Sequence, residues 1–233
     1  MNYKDITLSP NQTFFTYKGE LLFERHYLNA LKFHAEGLAA VEDETGWFHI
    51  NMNGEAIYNK RYSRCFGYYF DRASVVDNDY WYHLDTQGNR VYDENYAWCG
   101  NFQEAVCAVR TFVLDYYHID QDGNALYEQR YAYVGDFKDG IACVRLFNGL
   151  HRHIDKLGAF IHEQSFMDLG IFHKGIATAK DENGWFHCNQ NGQALYQQRY
   201  AQVEVFYNGQ ALVEDFNQQK LIIAENGDTI LYL

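Results

Sequence analysis

The chain has 233 residues, enough to bury a full core, and its 47% apolar content excludes global disorder. With 31 acidic against 19 basic residues the net charge is −12, which excludes the clustered positive surface that phosphate-backbone binding demands. Aromatics make up 18% and a single proline is present, a balance that favours strands over helices.

The chain opens with MNYKDITLSP, which has neither a basic start nor an apolar run. No secretory signal is visible there, so a cytoplasmic location is expected, with signal-independent export left open. No later apolar run reaches the ~20 residues of a membrane-spanning helix, so no membrane role is expected. Five cysteines without a Cys-x-x-Cys pair read as buried reduced thiols.

Glycines then recur at 19, 54, 88, 123, 158, 192 and 227, about 35 residues apart each time, which divides residues 1–233 into seven tandem β repeats forming a single domain. The first repeat, TFFTYKGELLF, is as apolar as the chain interior. The second, DETGWFHINMNGEAIYNKRY, contains the full pattern: an aromatic-His strand, an Asn or Asp three residues before the glycine, and an aromatic eight residues after it. Asx-x-x-Gly suits a type I turn closed by a left-handed glycine, so each repeat should hold a hairpin. Alternation places Trp47, His49 and Asn51 on one strand face and Phe48 and Ile50 on the other; aromatics on both faces imply sheets stacked on both sides.

The third repeat departs from the pattern at YYFDRASV (68–75) and VDNDYWYHLD (76–85), and the fourth keeps it in FQEAVCAV and HIDQDGNALY. The fifth combines FKDGIACV with LFNGLHRHID, where His151 and Arg152 stand in place of aromatics. Strands such as Ile141–Val144 are small and apolar on both faces, as a strand pressed between neighbouring sheets must be. The sixth repeat begins at IFHKG, with His173 and Lys174, and continues as DENGWFHCNQNGQALYQQRY, a near copy of the second. The seventh ends in LIIAENGDTILYL. No stretch has a helical period. Two architectures fit: a compact β-propeller-like ring, favoured because the terminal repeats carry no polar caps, and an open β-solenoid or superhelix.

Phe-x-x-Gly-x-Ala-x-Val followed by Gly-Trp-aromatic-Ile-Asp-x-x-Gly resembles the bacterial WG-type (WG-containing, KWG-like) repeat. GWFHI at 46–50, GWFHC at 184–188 and WYHLD at 81–85 carry the likeness, as a His-Ile-Asp variant. The resemblance implies an accessory or recognition module without a fixed activity, and it supplies no catalytic residues.

The repeated His49, His83, His118, His153 and His187, with Trp47 and Trp185, are expected to be structural, since a site that does chemistry breaks repeat symmetry and a scaffold keeps it. The Arg-Tyr pairs at 61–62, 130–131 and 199–200 are expected to set Arg against an adjacent acid, such as Glu128 or Asp136. No catalytic motif, metal set or cofactor loop appears. The symmetry-breaking His151, Arg152, His173 and Lys174 are the candidate ligand or partner site. Three functions follow: a non-enzymatic scaffold for a partner protein or associated enzyme domain, a lectin-like carbohydrate or small-molecule binder, and an enzyme with one site around His151–His153.

Overall fold

The computed structural model describes residues 1–233. Every regular element is a β-strand apart from one 3-10 turn at Tyr3–Asp5. The strands form seven antiparallel sheets, one per glycine period, and the chain divides into two compact bodies, Met1–Ala125 and Leu126–Leu233.

The first body holds four three-stranded sheets. They comprise β1 (Ile6–Leu8), β2 (Phe15–Tyr17) and β3 (Glu20–Leu21); β4 (Asn29–Ala30), β5 (Ala39–Asp43) and β6 (Gly46–Ile50); β7 (Arg64–Tyr69), β8 (Arg72–Asp77) and β9 (Tyr80–Leu84); and β10 (Trp98–Cys99), β11 (Cys107–Arg110) and β12 (Tyr116–Ile119). The second body holds three sheets: β13 (Tyr133–Val134), β14 (Ile141–Arg145) and β15 (His151–Asp155); β16 (Asp168–Leu169), β17 (Ile176–Asp181) and β18 (Gly184–Asn189); and β19 (Gln202–Val203), β20 (Gln210–Glu214), β21 (Lys220–Ala224) and β22 (Thr229–Tyr232).

The middle strand of each sheet is small because it is covered on both faces. In the second sheet Ala39, Val41, Phe48 and Ile50 join one apolar cluster, while Ala40 and Trp47 join another with Val75, Tyr82 and Leu84 of the third sheet. Register pairs small with large: Ala40 lies opposite His49 and Val41 opposite Phe48.

The glycine turns form as the Asx spacing requires. Asp85 Oδ1 accepts from the N–H groups of Gln87 and Asn89, and Gly88 donates its N–H to Asp85 O. Gly88 sits at φ +81°. Asn51, Asp155 and Asn189 build the same loop. The aromatic eight residues on closes the repeat by bridging back to the Trp position, as Tyr62 does to Trp47 and Tyr200 to Trp185.

Candidate functional site

The repeated histidine is a buried joint between consecutive repeats. His49 Nε2 lies 2.8 Å from Phe66 O of the next repeat, and its Nδ1 lies 2.5 Å from Tyr58 Oη in its own. A carbonyl only accepts, so Nε2 carries the proton and Nδ1 accepts from the tyrosine hydroxyl. His83 uses Gly100 O and Tyr92 Oη in the same way, and His187 uses Glu204 O and Tyr196 Oη. His118 is equally buried. Burial holds His49 and His83 down at about 4, against the pull of their carbonyl bonds, and pushes the Tyr58 and Tyr92 hydroxyls far above their usual range. Such rings are neutral, fully hydrogen-bonded and sealed from solvent. They have no spare lone pair for a metal and no open face for a sugar.

The fifth repeat fills the same slots with different residues. His151 takes the Trp position: it bridges to Phe166, and its Nδ1 donates to Met167 O at 3.1 Å. Arg152 lies 3.6 Å over Phe160 and donates to His162 O. In the second and sixth repeats the arginine comes from the Arg-Tyr pair instead. Arg61 lies 3.8 Å over Phe48 and donates to Asn59 O and Lys60 O; Arg199 lies 3.8 Å over Phe186 and donates to Gln197 O and Gln198 O. Arg130 likewise reaches Glu128 O and Gln129 O, and in the third repeat Arg90 does the same job from another position. The guanidinium thus serves loop carbonyls, and Arg199 also meets an acid, Asp181, at 2.7 Å.

The four candidate residues are not gathered into one site. His151 adjoins Met167 at the start of β16, whereas His173 and Lys174 lie beyond the other end of that strand. There Lys174 and Gly175 form the two-residue turn before β17, with His173 N–H donating to Ile176 O and Lys174 at φ 51°. The sequence missed that the fifth repeat's departure extends to His162. Its signal was HIDKLGAFIH, which ends on His162 where HINMNGEAIY, HLDTQGNRVY and HCNQNGQALY end on Tyr.

The thiols are poor nucleophiles, since burial raises Cys65, Cys143 and Cys188 to about 12. The first body contains a cleft of about 290 Å³ lined by Leu31, Lys32, His34, Phe66, Tyr69 and Asn101 among others. Burial and the charge of Lys32 hold His34 below its usual pKa, which leaves Lys32 as the main charge on the wall.

An exposed apolar surface lies on the turn between β11 and β12, Thr111-Phe-Val-Leu-Asp115. Phe112 is 55% exposed, Val113 81% and Leu114 66%. Phe112 meets Tyr80 of the preceding repeat at 5.8 Å between ring centroids, and Tyr80 is itself 48% exposed. The corresponding turns of the second and sixth repeats carry Glu44-Thr45 and Glu182-Asn183. The three adjacent apolar side chains stand in the sequence as TFVLD, where no motif marks them as a turn tip.

Comparison with known proteins agrees with this architecture. Residues 119–150 match the WG containing repeat. BamB from Moraxella catarrhalis superposes with a TM-score of 0.51 at 14% identity, over 98% of this chain and 81% of that one. A eukaryotic initiation factor superposes with a TM-score of 0.58 at 12% identity, over 98% of this chain and 72% of that one. At such identities the likeness is one of fold, all-β and propeller-like. No curated protein matches the sequence.

Proposed function

We propose that this chain of WG-type repeats is a non-enzymatic scaffold that holds a partner protein, or an associated enzyme domain, on the apolar turn at 112–114 together with Tyr80. The observation that carries this reading is the exposure of three consecutive large apolar residues on a turn whose counterparts are polar in the second and sixth repeats and carry one exposed phenylalanine, Phe147 or Phe216, in the fifth and seventh. Desolvating such a tip in a partner's pocket gains roughly 25 cal/mol per Å² of apolar surface covered, and aromatic anchors of this type dominate interface energetics. Asp79 and Asp115 border the patch on the two turns that carry it, and the chain has a charge of −12. Both features favour a partner with an apolar pocket and a basic rim. The repeated histidines and tyrosines are committed to the core, which removes the basis for a ring of equivalent sugar pockets.

Val113→Asp tests the reading, because so exposed a side chain contributes little to folding. Chemical cross-linking in a native extract should trap a specific protein on the wild type. The aspartate variant should lose that product while melting at the same temperature. Equal capture by both proteins would refute the assignment to this turn.

A further inference from the structure

Counting protons sets the fifth repeat apart from the others. A neutral imidazole offers one N–H and one lone pair. His153 Nε2 faces Gly170 O at 2.8 Å, and His153 Nδ1 faces His162 Nε2 at 3.1 Å. His162 Nδ1 in turn faces Gln164 O at 3.1 Å. Both outer partners are carbonyls and each requires an N–H. The contact between the rings requires a third proton, and two neutral rings hold only two. Either two lone pairs face each other across 3.1 Å, or one carbonyl faces a lone pair. The other repeats avoid this conflict, because Tyr58, Tyr92 and Tyr196 bring a hydroxyl proton of their own.

We propose that His153 and His162 together bind one proton, shared across their contact, which makes the link between the fifth and sixth repeats a pH-responsive joint. With that proton all three hydrogen bonds form at once, and the central one is charge-assisted. The groups facing the pair come from four directions. On β15, Arg152 opposes protonation, and in the 160–166 segment Glu163 favours it. From β14, Cys143 lies opposite His153, its thiol held neutral by burial. The sixth repeat contributes Phe172, 4.2 Å from the His153 ring, and the turn glycine Gly192, neither of which is charged. Burial acts on His153 as on His49 and His83, holding the lone ring at about 4, and keeps His162 below its usual value; the unfilled hydrogen bond between the two rings works against it. The pair therefore takes up its proton at a higher pH than the Tyr-capped His49 and His83.

His162→Tyr converts the joint to the form used in the other repeats. At about pH 8 the variant should melt higher than the wild type by about 3 °C, reflecting one additional satisfied bond. Imidazole ¹⁵N shifts of the wild type should show the His153–His162 pair gaining its proton above the pH at which His49 and His83 do. If His162→Tyr does not fold, His162→Gln provides the same non-titrating donor and carries the same expectation. A variant that melts no higher than the wild type at about pH 8, or rings that remain neutral as long as His49, would overturn the proposal.

Discussion

Tyr58 and its equivalents show how much one hydroxyl can control. Removing it by Tyr58→Phe keeps the ring that packs 5.7 Å from Tyr62 but leaves His49 Nδ1 buried without a donor. The cost of an orphaned buried acceptor is about 1–3 kcal/mol, well above the few tenths expected from packing alone. Chemical denaturation should show that loss for Tyr58→Phe, and a stability within about 0.5 kcal/mol of wild type would mean that the bond is not formed. The role of His49 was half legible in the sequence. Its recurrence implied a polar aromatic bonding a neighbouring strand, and it reaches Phe66 O. Its second partner was hidden because Tyr58 lies nine residues away beyond a turn, a separation that no strand or helix period brings together.

At the level of elements, the periodic glycines that revealed the repeats meet two demands, only one of them visible in sequence. Gly19 and Gly88 both need a left-handed φ, at +86° and +81°. A Cβ on Gly19 would meet nothing within 4 Å, whereas one on Gly88 would fall 2.0 Å from Tyr58 Cδ1. Gly19→Ala should therefore cost only the backbone term of about 1 kcal/mol, while Gly88→Ala should cost clearly more, because it displaces the tyrosine that caps His49. Equal melting temperatures for the two variants would show that the close approach is unimportant. The turn at 111–115 poses the opposite problem. Leu114 holds φ 68° where the turn at 146–149 has Gly149, a conformation that strains an ordinary side chain. Leu114→Asn should raise stability by about 0.5–1 kcal/mol. If the turn is the docking tip, the same substitution should weaken partner capture. A stabilised variant with undiminished capture would separate Leu114 from the interface. The sequence displayed TFVLD openly but gave no hint that its fourth residue is left-handed, since glycine is the usual marker of that state and is absent.

Across the whole molecule, acidification sets two effects against each other, and magnitudes decide between them. The net charge of −12 shrinks as histidines outside the core and the first carboxylates protonate, which relieves repulsion and by itself predicts a melting temperature that rises toward pH 5. These surface charges are separated by distances at which physiological salt screens them, and each exposed pair is worth at most about 1 kcal/mol. The buried rings act in the opposite direction. His49 and His83 drop from 6.5 to about 4 on folding, so between those values the unfolded chain binds more protons than the folded one. Stability is then full above about pH 6.5 and is lost as pH falls toward 4, by about 3 kcal/mol for each ring. Two such rings in the first body outweigh the diffuse repulsion. Melting temperature should therefore fall continuously from pH 6.5 to pH 4.5 even as the net charge approaches zero. Raising salt to about 0.5 M should not restore it, because desolvation inside the sheets is beyond the reach of mobile ions. A melting temperature that rises toward pH 5, or an acid loss reversed by salt, would instead make long-range charge the controlling term.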